Sequence, residues 1–329
     1  RWMIMNITIK NSDGTFDITQ LVTTVSLSGD YQQCSRTLDF SMVSSPIDNS
    51  IPSIRCELGN AVTLTENNEI MFQGNIFSRQ KSTNGNTIDV TCFDRGFYLK
   101  KNEATYKFTN QTPEAIARRI CGDFSIPVGD IASTGISITK NFIGRNLYDI
   151  IQSAYTIASE KTHKKYITRF EGTKLCIREK EGQKNTLVLE GGSNLMDASV
   201  SESVQNMVNQ VVIYDSNDNL IKTMKNDEYI KLYGLMQSYM SQGKDDVSDK
   251  AQKTLDDNGV TQKITVNNLG DTRNITGNSV IVKEPYTGIN GLFYIDGDTH
   301  TWKNGIYLNK LVLNLKNVMD EKESGTDPT

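Results

Sequence analysis

The sequence contains few side chains that transfer protons at neutral pH. Only two of its 329 residues are histidine, His163 and His300, and histidine is the side chain whose unperturbed pKa lies closest to neutrality. His163 lies in a charged connection and is predicted to be solvated. The GxSxG, HExxH and GxGxxG signatures, the P-loop and the EF-hand loop are also absent. We therefore expect no enzyme activity, no catalytic, cofactor-binding or metal-binding residues, and no cofactor.

Long apolar runs and an excess of basic charge are missing as well. A bilayer span needs about 18 consecutive apolar residues, and no run approaches that length, so we expect no membrane insertion by this chain. Lys and Arg number 35 against 39 Asp and Glu, which gives a net charge of −4. A protein that holds duplex DNA usually shows a basic stripe. The charge balance therefore argues against DNA-backbone binding as the main function.

The cysteines form no disulfide or metal-binding pattern. The five cysteines are well separated, and no CxxC pair occurs. An odd number of isolated cysteines is typical of free thiols in a reducing compartment. We predict that Cys92 and Cys176 are small buried side chains on strands. A disulfide framework or a metal cluster is the alternative.

The chain is longer than a single hydrophobic core usually supports, so two or three domains are expected. The first, residues 1–100, is rich in strand patterns that are separated by polar turns. Strands are predicted at 4–9, 21–27, 37–43, 61–65, 70–78 and 87–93. Strands at this spacing, with few helical patterns, are typical of a closed β-barrel or a sandwich.

Residues 101–190 have a mixed character. Thr112-Pro113-Glu114 combines an N-cap residue, a proline in the first turn and an acid, which is the usual start of a helix. A second helix is predicted over 147–158, where apolar residues recur every three or four positions. A hairpin follows, with strands at 166–170 and 174–178. This segment is predicted to be a small α+β module with two helices and a hairpin.

Residues 191–318 return to strand patterns. One helix interrupts them near 246–258, where Val247, Ala251 and Leu255 share a face. The charged tail at 319–329 is expected to be flexible. The predicted fold class is α+β, mostly β, with segments in the order β, α+β, β. Strands are predicted at 208–214, 220–224, 235–240, 262–266, 279–282, 291–296 and 306–315.

Two groups of polar residues are candidate sites. Asp296, Asp298 and His300 lie within five residues and could ligate a divalent metal such as Mn²⁺ or Zn²⁺. The alternative, which we favour, is that a strand ends here, Asp-Gly forms a turn, and His300 enters the next strand. Glu179 and Glu181 could act as the carboxylate pair of a glycosidase, but the lysines and glycine around them favour a solvated turn.

A set of short motifs occurs along the chain in a definite order. They are Asp17-Ile18-Thr19-Gln20-Leu21-Val22, Ser28-Gly29-Asp30 with Arg36-Thr37-Leu38, Cys92-Phe93-Asp94-Arg95-Gly96-Phe97-Tyr98-Leu99, Tyr106-Lys107-Phe108, Thr112-Pro113, Tyr233-Gly234-Leu235 and the stretch 288–300. Together they resemble the baseplate hub proteins of contractile phage tails. The resemblance covers residues 4–316. It is greatest to the branch found in PBSX-type defective prophages and R-type bacteriocins, and more distant to the late control protein D family.

The resemblance implies a ring-shaped homotrimer at the tip of the tail tube. Each subunit of such a hub has two β-barrel domains like those of the tube protein, so three subunits present six barrels. The implied partners are the chain itself, the tail tube or tube-initiator protein above, the spike protein below and other baseplate proteins. DNA or tape-measure protein passes through the lumen only in transit. The implied location is the bacterial cytoplasm during assembly, then the baseplate of a virion or tail-like particle.

These implications assign residues 1–100 and 191–318 to the two tube-like barrels, with the α+β module between them. The protein would then be structural, joining the six-fold tail tube to the three-fold central spike. The first hairpin, within residues 15–43, would form a barrel wall, with Arg36 and the Gly29-Asp30 turn making structural or inter-subunit contacts. The alternative function is a tail-associated cell-wall hydrolase or carbohydrate-binding module.

Overall fold

The computed structural model describes residues 5–45, 47–83, 85–181, 187–243 and 246–328. Its contacts divide the chain into two units. The first comprises the described residues up to Ala198 and from Thr265 onward, and the second is Ser199–Ile264. The fold is mostly β with an α+β part, as the sequence predicts. No helix among the described residues is long and apolar enough to span a membrane.

The strands of the first hundred residues form because buried and solvated side chains alternate along them. In β4, Leu38, Phe40 and Met42 are buried, whereas Asp39 is exposed. The predicted strands are confirmed within the described residues, and the short strand β2 is an addition. The strands are β1 (Met5–Asn11), β2 (Gly14–Asp17), β3 (Val22–Asp30), β4 (Thr37–Val43), β5 (Ala61–Glu66), β6 (Glu69–Ser82) and β7 (Thr87–Asp94).

Both predicted helices of the α+β module are confirmed, and so is its hairpin. Thr112 caps α2, since its side chain accepts a hydrogen bond from Ala115 N at 3.3 Å. Asn146 caps α3 in the same way, accepting from Asp149 N at 2.8 Å. The elements are α1 (Gly96–Lys101), β8 (Glu103–Gln111), α2 (Pro113–Asp123), β9 (Val128–Ile131), β10 (Ile138–Asn146), α3 (Leu147–Thr162), β11 (Tyr166–Glu171) and β12 (Lys174–Glu179).

The remaining elements contain the second unit, in which β15 pairs antiparallel with β16 and parallel with β17. The helix predicted near 246–258 is confirmed as α5, whose Ala251 packs with Val211 and Ile213. The elements are β13 (Leu187–Glu190), β14 (Leu195–Ser203), β15 (Gln210–Tyr214), β16 (Leu220–Lys225), α4 (Asp227–Tyr233), β17 (Gln237–Ser241), α5 (Ser248–Asp257), β18 (Thr261–Leu269), β19 (Ser279–Glu284), β20 (Ile289–Lys303) and β21 (Ile306–Asn314).

The first and last β segments share one sheet. Among the described residues this sheet has 13 strands, and its main path runs β14-β18-β21-β20-β3-β4-β7-β6-β5-β1-β2. The segments are united by β3 and β20, which pair antiparallel from Asp30 opposite Gly297 to Thr24 opposite Lys303. Within the described part of the chain the path is open at β14 and β2. No closed barrel is found among the described residues, so the two β-barrel domains implied by the resemblance are not confirmed.

The prediction that a strand ends in a turn at Asp296-Gly297 is wrong. β20 continues to Lys303, and it changes partner midway, pairing first with β19 and then with β3. Its ladder with β21 is shifted between Ile295 and Gly297, so Asp296 forms a β-bulge rather than a turn. The turn preference of Asp-Gly is overridden because strands on both sides of β20 supply hydrogen-bond partners.

Among the described residues, the first unit includes two groups of buried apolar side chains that pack together. One surrounds α3 and includes Phe142, Ile150 and Tyr155. The other lies against the buried face of β1 and β3–β7, and it also contains Trp302 of β20. Trp302 Nε1 donates to Glu66 Oε2 of β5 at 2.8 Å. This second core therefore draws on both β segments.

Residues 316–328, which we call the C-terminal strap, lie along α3. The sequence predicted a flexible tail from residue 319, but Met319 is only 5% exposed and belongs to the core around α3. The Tyr148 hydroxyl donates to Asp320 Oδ2 at 2.8 Å, and Gln152 Nε2 donates to Asp320 O at 2.7 Å. The strap is ordered because side chains of α3 form hydrogen bonds with its polar groups. These partners cannot be inferred from the sequence of the strap itself.

We predict that Met319→Ala lowers the free energy of unfolding by about 2–5 kcal/mol, because it leaves a cavity beside α3. Asp327→Ala, at an exposed ion pair with Lys140, should cost less than about 1 kcal/mol. Urea unfolding of the two variants measures the difference. Equal and negligible effects would show that the strap is not packed in solution.

Candidate functional site

A buried ion pair lies where the first and last β segments meet. Arg36, in the connection between β3 and β4, faces Asp298 of β20, with Nη1 3.0 Å from Oδ1 and Nη2 2.5 Å from Oδ2. The side chains are 11% and 0% exposed. Asp298 Oδ1 also accepts from the backbone N and the hydroxyl of Thr276, at 2.7 and 2.6 Å. We call Arg36, Asp298, Thr276 and His300 the junction cluster.

The backbone around Arg36 positions its guanidinium. A Cβ on Gly29 would lie 2.6 Å from Arg36 Nη1, so the absence of a side chain on β3 lets the guanidinium cross the strand. Asp94 holds the connection from the other side, because Oδ2 accepts from Arg36 N at 3.0 Å and Oδ1 from Gly96 N at 2.8 Å. Arg36 makes a structural contact within the chain. The predicted Gly29-Asp30 turn is wrong, because both residues lie in β3 and pair with Asp298 and Gly297 of β20.

The pKa values of Asp298 and Asp94, the two carboxylates beside Arg36, are shifted in opposite directions. Burial would raise the pKa of Asp298, but the charge of Arg36 and hydrogen bonds from His300 and Arg36 hold it well below its usual range. Burial raises the pKa of Asp94 to about 6, against hydrogen bonds from the backbone N–H groups of Arg36 and Gly96. Asp298 is therefore held as an anion, whereas burial makes the anion of Asp94 less favourable.

His300 is fully enclosed by hydrogen-bond partners. Its Nε2 lies 3.0 Å from Asn274 O and 3.2 Å from Asp298 Oδ2. Both of these atoms are acceptors, so Nε2 carries the hydrogen. Its Nδ1 is 2.9 Å from Asn309 Nδ2 and 2.6 Å from the Tyr307 hydroxyl. Both ring nitrogens are thus engaged by the chain itself.

The structure brings together only part of the candidate metal set. Asp296 points elsewhere: its Oδ2 accepts from Asn314 Nδ2 at 2.9 Å, and its Oδ1 lies 3.8 Å from Lys180 Nζ. In the described ranges no group of three or more His, Cys, Asp or Glu is placed to hold a metal ion. Lys180 is itself buried, and its Nζ donates to Val318 O of the strap at 2.6 Å. Lys180 therefore lies between Asp296 and the strap.

The candidate carboxylates Glu179 and Glu181 line a crevice of about 520 Å³ beside the β11–β12 hairpin. Glu179 accepts from Lys164 Nζ at 2.8 Å. The carboxylate most firmly held there is Glu171, which receives hydrogen bonds from Arg178 and Arg169 at 2.7–3.1 Å. Hydrogen bonds from Arg178, with the charge of Arg169, lower the pKa of Glu171 to about 2 despite partial burial. Glu171 is therefore a poor general acid.

The remaining candidate residues have structural positions. His163 ends α3 in a left-handed conformation and is exposed, as predicted. All five cysteines are buried free thiols, which confirms the prediction for Cys92 and Cys176. The sequence did not reveal Thr276 of the junction cluster, nor Asn274 and Asn309, which contact His300. No local pattern marks a side chain whose partner lies on a distant strand.

We predict that either Arg36→Met or Asp298→Asn lowers the free energy of unfolding by about 3–5 kcal/mol, because each leaves the other group buried without its partner. The double variant should lose less free energy of unfolding than the sum of the two single losses, because it leaves no charge buried without a partner. Arg119→Met removes an exposed pair with Asp123 and should cost less than about 1 kcal/mol. Additive losses in urea unfolding would contradict the proposed coupling.

We predict that acid weakens the fold through Glu171. Its pKa falls from 4.5 to about 2 on folding, so its ionised form stabilises the fold above about pH 4.5, and this contribution is lost as the pH falls towards 2. In Glu171→Gln the urea midpoint should change less with pH over this range. The exposed Glu103→Gln should keep the wild-type slope, and equal slopes for all three proteins would refute the assignment.

Comparison with known proteins supports the resemblance seen in the motifs. The phage-like element PBSX protein XkdQ of Bacillus subtilis strain 168 is 28% identical over 309 residues, covering 90% of this chain and 93% of XkdQ. The 43 kDa tail protein of prophage MuSo2 from Shewanella oneidensis has a TM-score of 0.71 at 14% identity, covering 94% of this chain and 98% of that protein. The similarity to a PBSX-type protein is thus confirmed.

A further solved structure has the same fold. An Escherichia coli component of the type VI secretion system, described as structurally similar to the T4 bacteriophage tail proteins gp27 and gp5, has a TM-score of 0.56 at 11% identity. It covers 94% of this chain, which spans 76% of that protein. A family model described as YQBQ-like matches residues 25–314. Because this match spans most of the sequence, the chain belongs to the YQBQ-like family.

Proposed function

We propose that this chain is the structural hub of a contractile tail or tail-like particle. Three copies form a ring that joins the six-fold tail tube to the three-fold central spike. The observation that carries the proposal is the shared sheet, in which β3 of the first segment pairs with β20 of the last. One chain then supplies two tube-like halves with no break between them, and three chains supply six.

The proposal assigns residues 1–100 and 191–318 to the two tube-like halves and residues 101–190 to the module between them. Within the described residues the main path of the sheet ends at β14 and β2. Exposed edges of this kind promote aggregation in a monomer, but a closed ring uses them without forming fibres. We infer that these edges are where neighbouring subunits continue the wall.

The chemistry of the junction cluster favours a structural role over catalysis. Asp298 and His300 are both buried, and their polar atoms bond to other groups of the chain. A catalytic acid or base must instead reach a substrate. The proposed partners are therefore other proteins: copies of this chain, a tail tube or tube-initiator protein, a spike protein and other baseplate proteins. Assembly takes place in the bacterial cytoplasm, and the finished location is the baseplate.

We predict that light scattering of the purified chain, alone or with its spike partner, gives a complex with three times the 36.8 kDa chain mass. A species that stays monomeric even with tube and spike proteins added would contradict the hub assignment. Zymography on peptidoglycan should show no lysis. A lytic band would instead favour the cell-wall hydrolase.

A further inference from the structure

A pocket of about 300 Å³ lies between β6, α1 and the end of α2. Its walls include Tyr98 of α1 and, after α2, Phe124 and Ile126. Tyr98 and Phe124 are 42% and 37% exposed, so a partner can reach them. We call it the Arg95 pocket, because Arg95 is the one charged side chain among its described lining residues. A cavity of about 150 Å³ holds a benzene ring, so this pocket has room for an aromatic side chain.

The guanidinium of Arg95 has no partner in the described part of the chain. It forms no hydrogen bond or ion pair there, although the residue is half-buried. The acids near it in the sequence or at the pocket are engaged elsewhere: Asp94 accepts from Arg36 N, and Asp123 pairs with Arg119 at 2.9 Å. A cation that is partly withdrawn from water gains more from a counter-charge than a fully exposed one. The pocket therefore suits an aromatic side chain that arrives together with a carboxylate.

The pocket is continuous with a cluster of aromatic rings. The Tyr98 ring lies 5.9 Å from that of Phe77, which is 4.3 Å from Phe97. Phe97 in turn stacks on Phe93 at 5.0 Å. Three of these four rings belong to the motif at 92–99. Because the rings pack against each other, the pocket wall is ordered before any partner arrives.

An exposed aromatic side chain lies at the turn between β19 and β20. Tyr286 is 96% exposed, and its hydroxyl bonds to no described residue. Glu284 orders the turn, because its Oε1 accepts from Tyr286 N at 3.0 Å and its Oε2 from Thr287 N at 2.6 Å. Hydrogen bonds from Thr287 hold the pKa of Glu284 below its usual value, so the turn carries an anion at neutral pH. We call residues 284–288 the Tyr286 tip.

We propose that Tyr286 of one copy inserts into the Arg95 pocket of a neighbouring copy, with the Glu284 carboxylate beside the guanidinium. The two parts are complementary, since the pocket has apolar rings and an unpaired cation, and the tip has a ring and an anion. Both parts are ordered beforehand, so little conformational entropy is lost on contact. Tyrosine and arginine are also the side chains that often dominate the binding energy of an interface.

This inference rests on the proposed hub function, because it names a contact between neighbours in the ring. The tip and the pocket are different parts of one chain, so the contact is heterologous. A contact of this kind closes into a ring when the rotation between copies permits it. In a closed ring of three, every tip fills a pocket and every pocket is filled.

The position of the tip is tested with p-benzoylphenylalanine, a photoreactive amino acid, in place of Tyr286. Full-length chains labelled with heavy and with light isotopes are mixed before assembly and then illuminated. Mass spectrometry should find cross-links between heavy and light chains from residue 286 to Tyr98, Phe124 or Ile126. The same group in place of Tyr239, an exposed tyrosine of β17, should give no cross-link to the pocket.

The contribution of the contact to affinity is tested with Tyr286→Ala. The urea midpoint of the separated chains should not change, because the side chain is exposed. Light scattering over a dilution series should show a dissociation constant raised about 30-fold or more, as expected for an anchor residue. Tyr239→Ala is the matched control and should leave the constant unchanged. Arg95→Met should also weaken association and reduce its dependence on salt, because it removes a charge pair.

The failure of this inference differs from the failure of the hub function. An intact ring that gives no cross-link from residue 286 to the pocket overturns the inference and leaves the hub function standing. Cross-links from residue 286 to added tube or spike protein, with a Tyr286→Ala ring as stable as wild type, overturn it as well and assign the tip to that protein. A chain that stays monomeric with tube and spike proteins added overturns the hub function itself.

Discussion

The buried pair of Arg36 and Asp298 is the constraint on which the shared sheet depends. The two residues are 262 positions apart, yet they fix how β20 lies against β3. A one-residue slip in a strand moves every side chain to the opposite face. Such a slip would turn Asp298 away from Arg36 and leave a guanidinium buried without a counter-charge. The penalty for that state is several kcal/mol, so the pair selects one register.

Both faces of the sheet follow from this register. Along β20, Asp298, His300 and Trp302 turn inward, where His300 joins the junction cluster and Trp302 reaches Glu66. Thr301, between them, turns to the solvent side opposite Ser26. The core and the solvent side of the sheet are thus two consequences of one strand pairing. A change that loosens the ion pair would alter both together.

The sequence predicts the features that depend on residues close together in the chain. Alternation along β4, the Thr112 cap of α2 and the apolar stripe of α3 are local patterns, and the structure contains each of them. The course of β20 past Asp296 was not predictable, because its cause is hydrogen bonding to strands that lie far away in the sequence. The strap was missed for the same reason, since the partners of Asp320 lie on α3. Pairing between the two β segments has no local signature at all.

Carboxylates with shifted pKa values often indicate a catalytic site. Here their surroundings indicate a structural role instead. An active site keeps a shifted group open to a ligand, whereas a structural network closes it with the protein's own partners. Asp298 is closed by Arg36, Thr276 and His300, and Asp94 by the backbone that carries Arg36. The charged groups of the junction cluster therefore hold the two β segments together in one sheet.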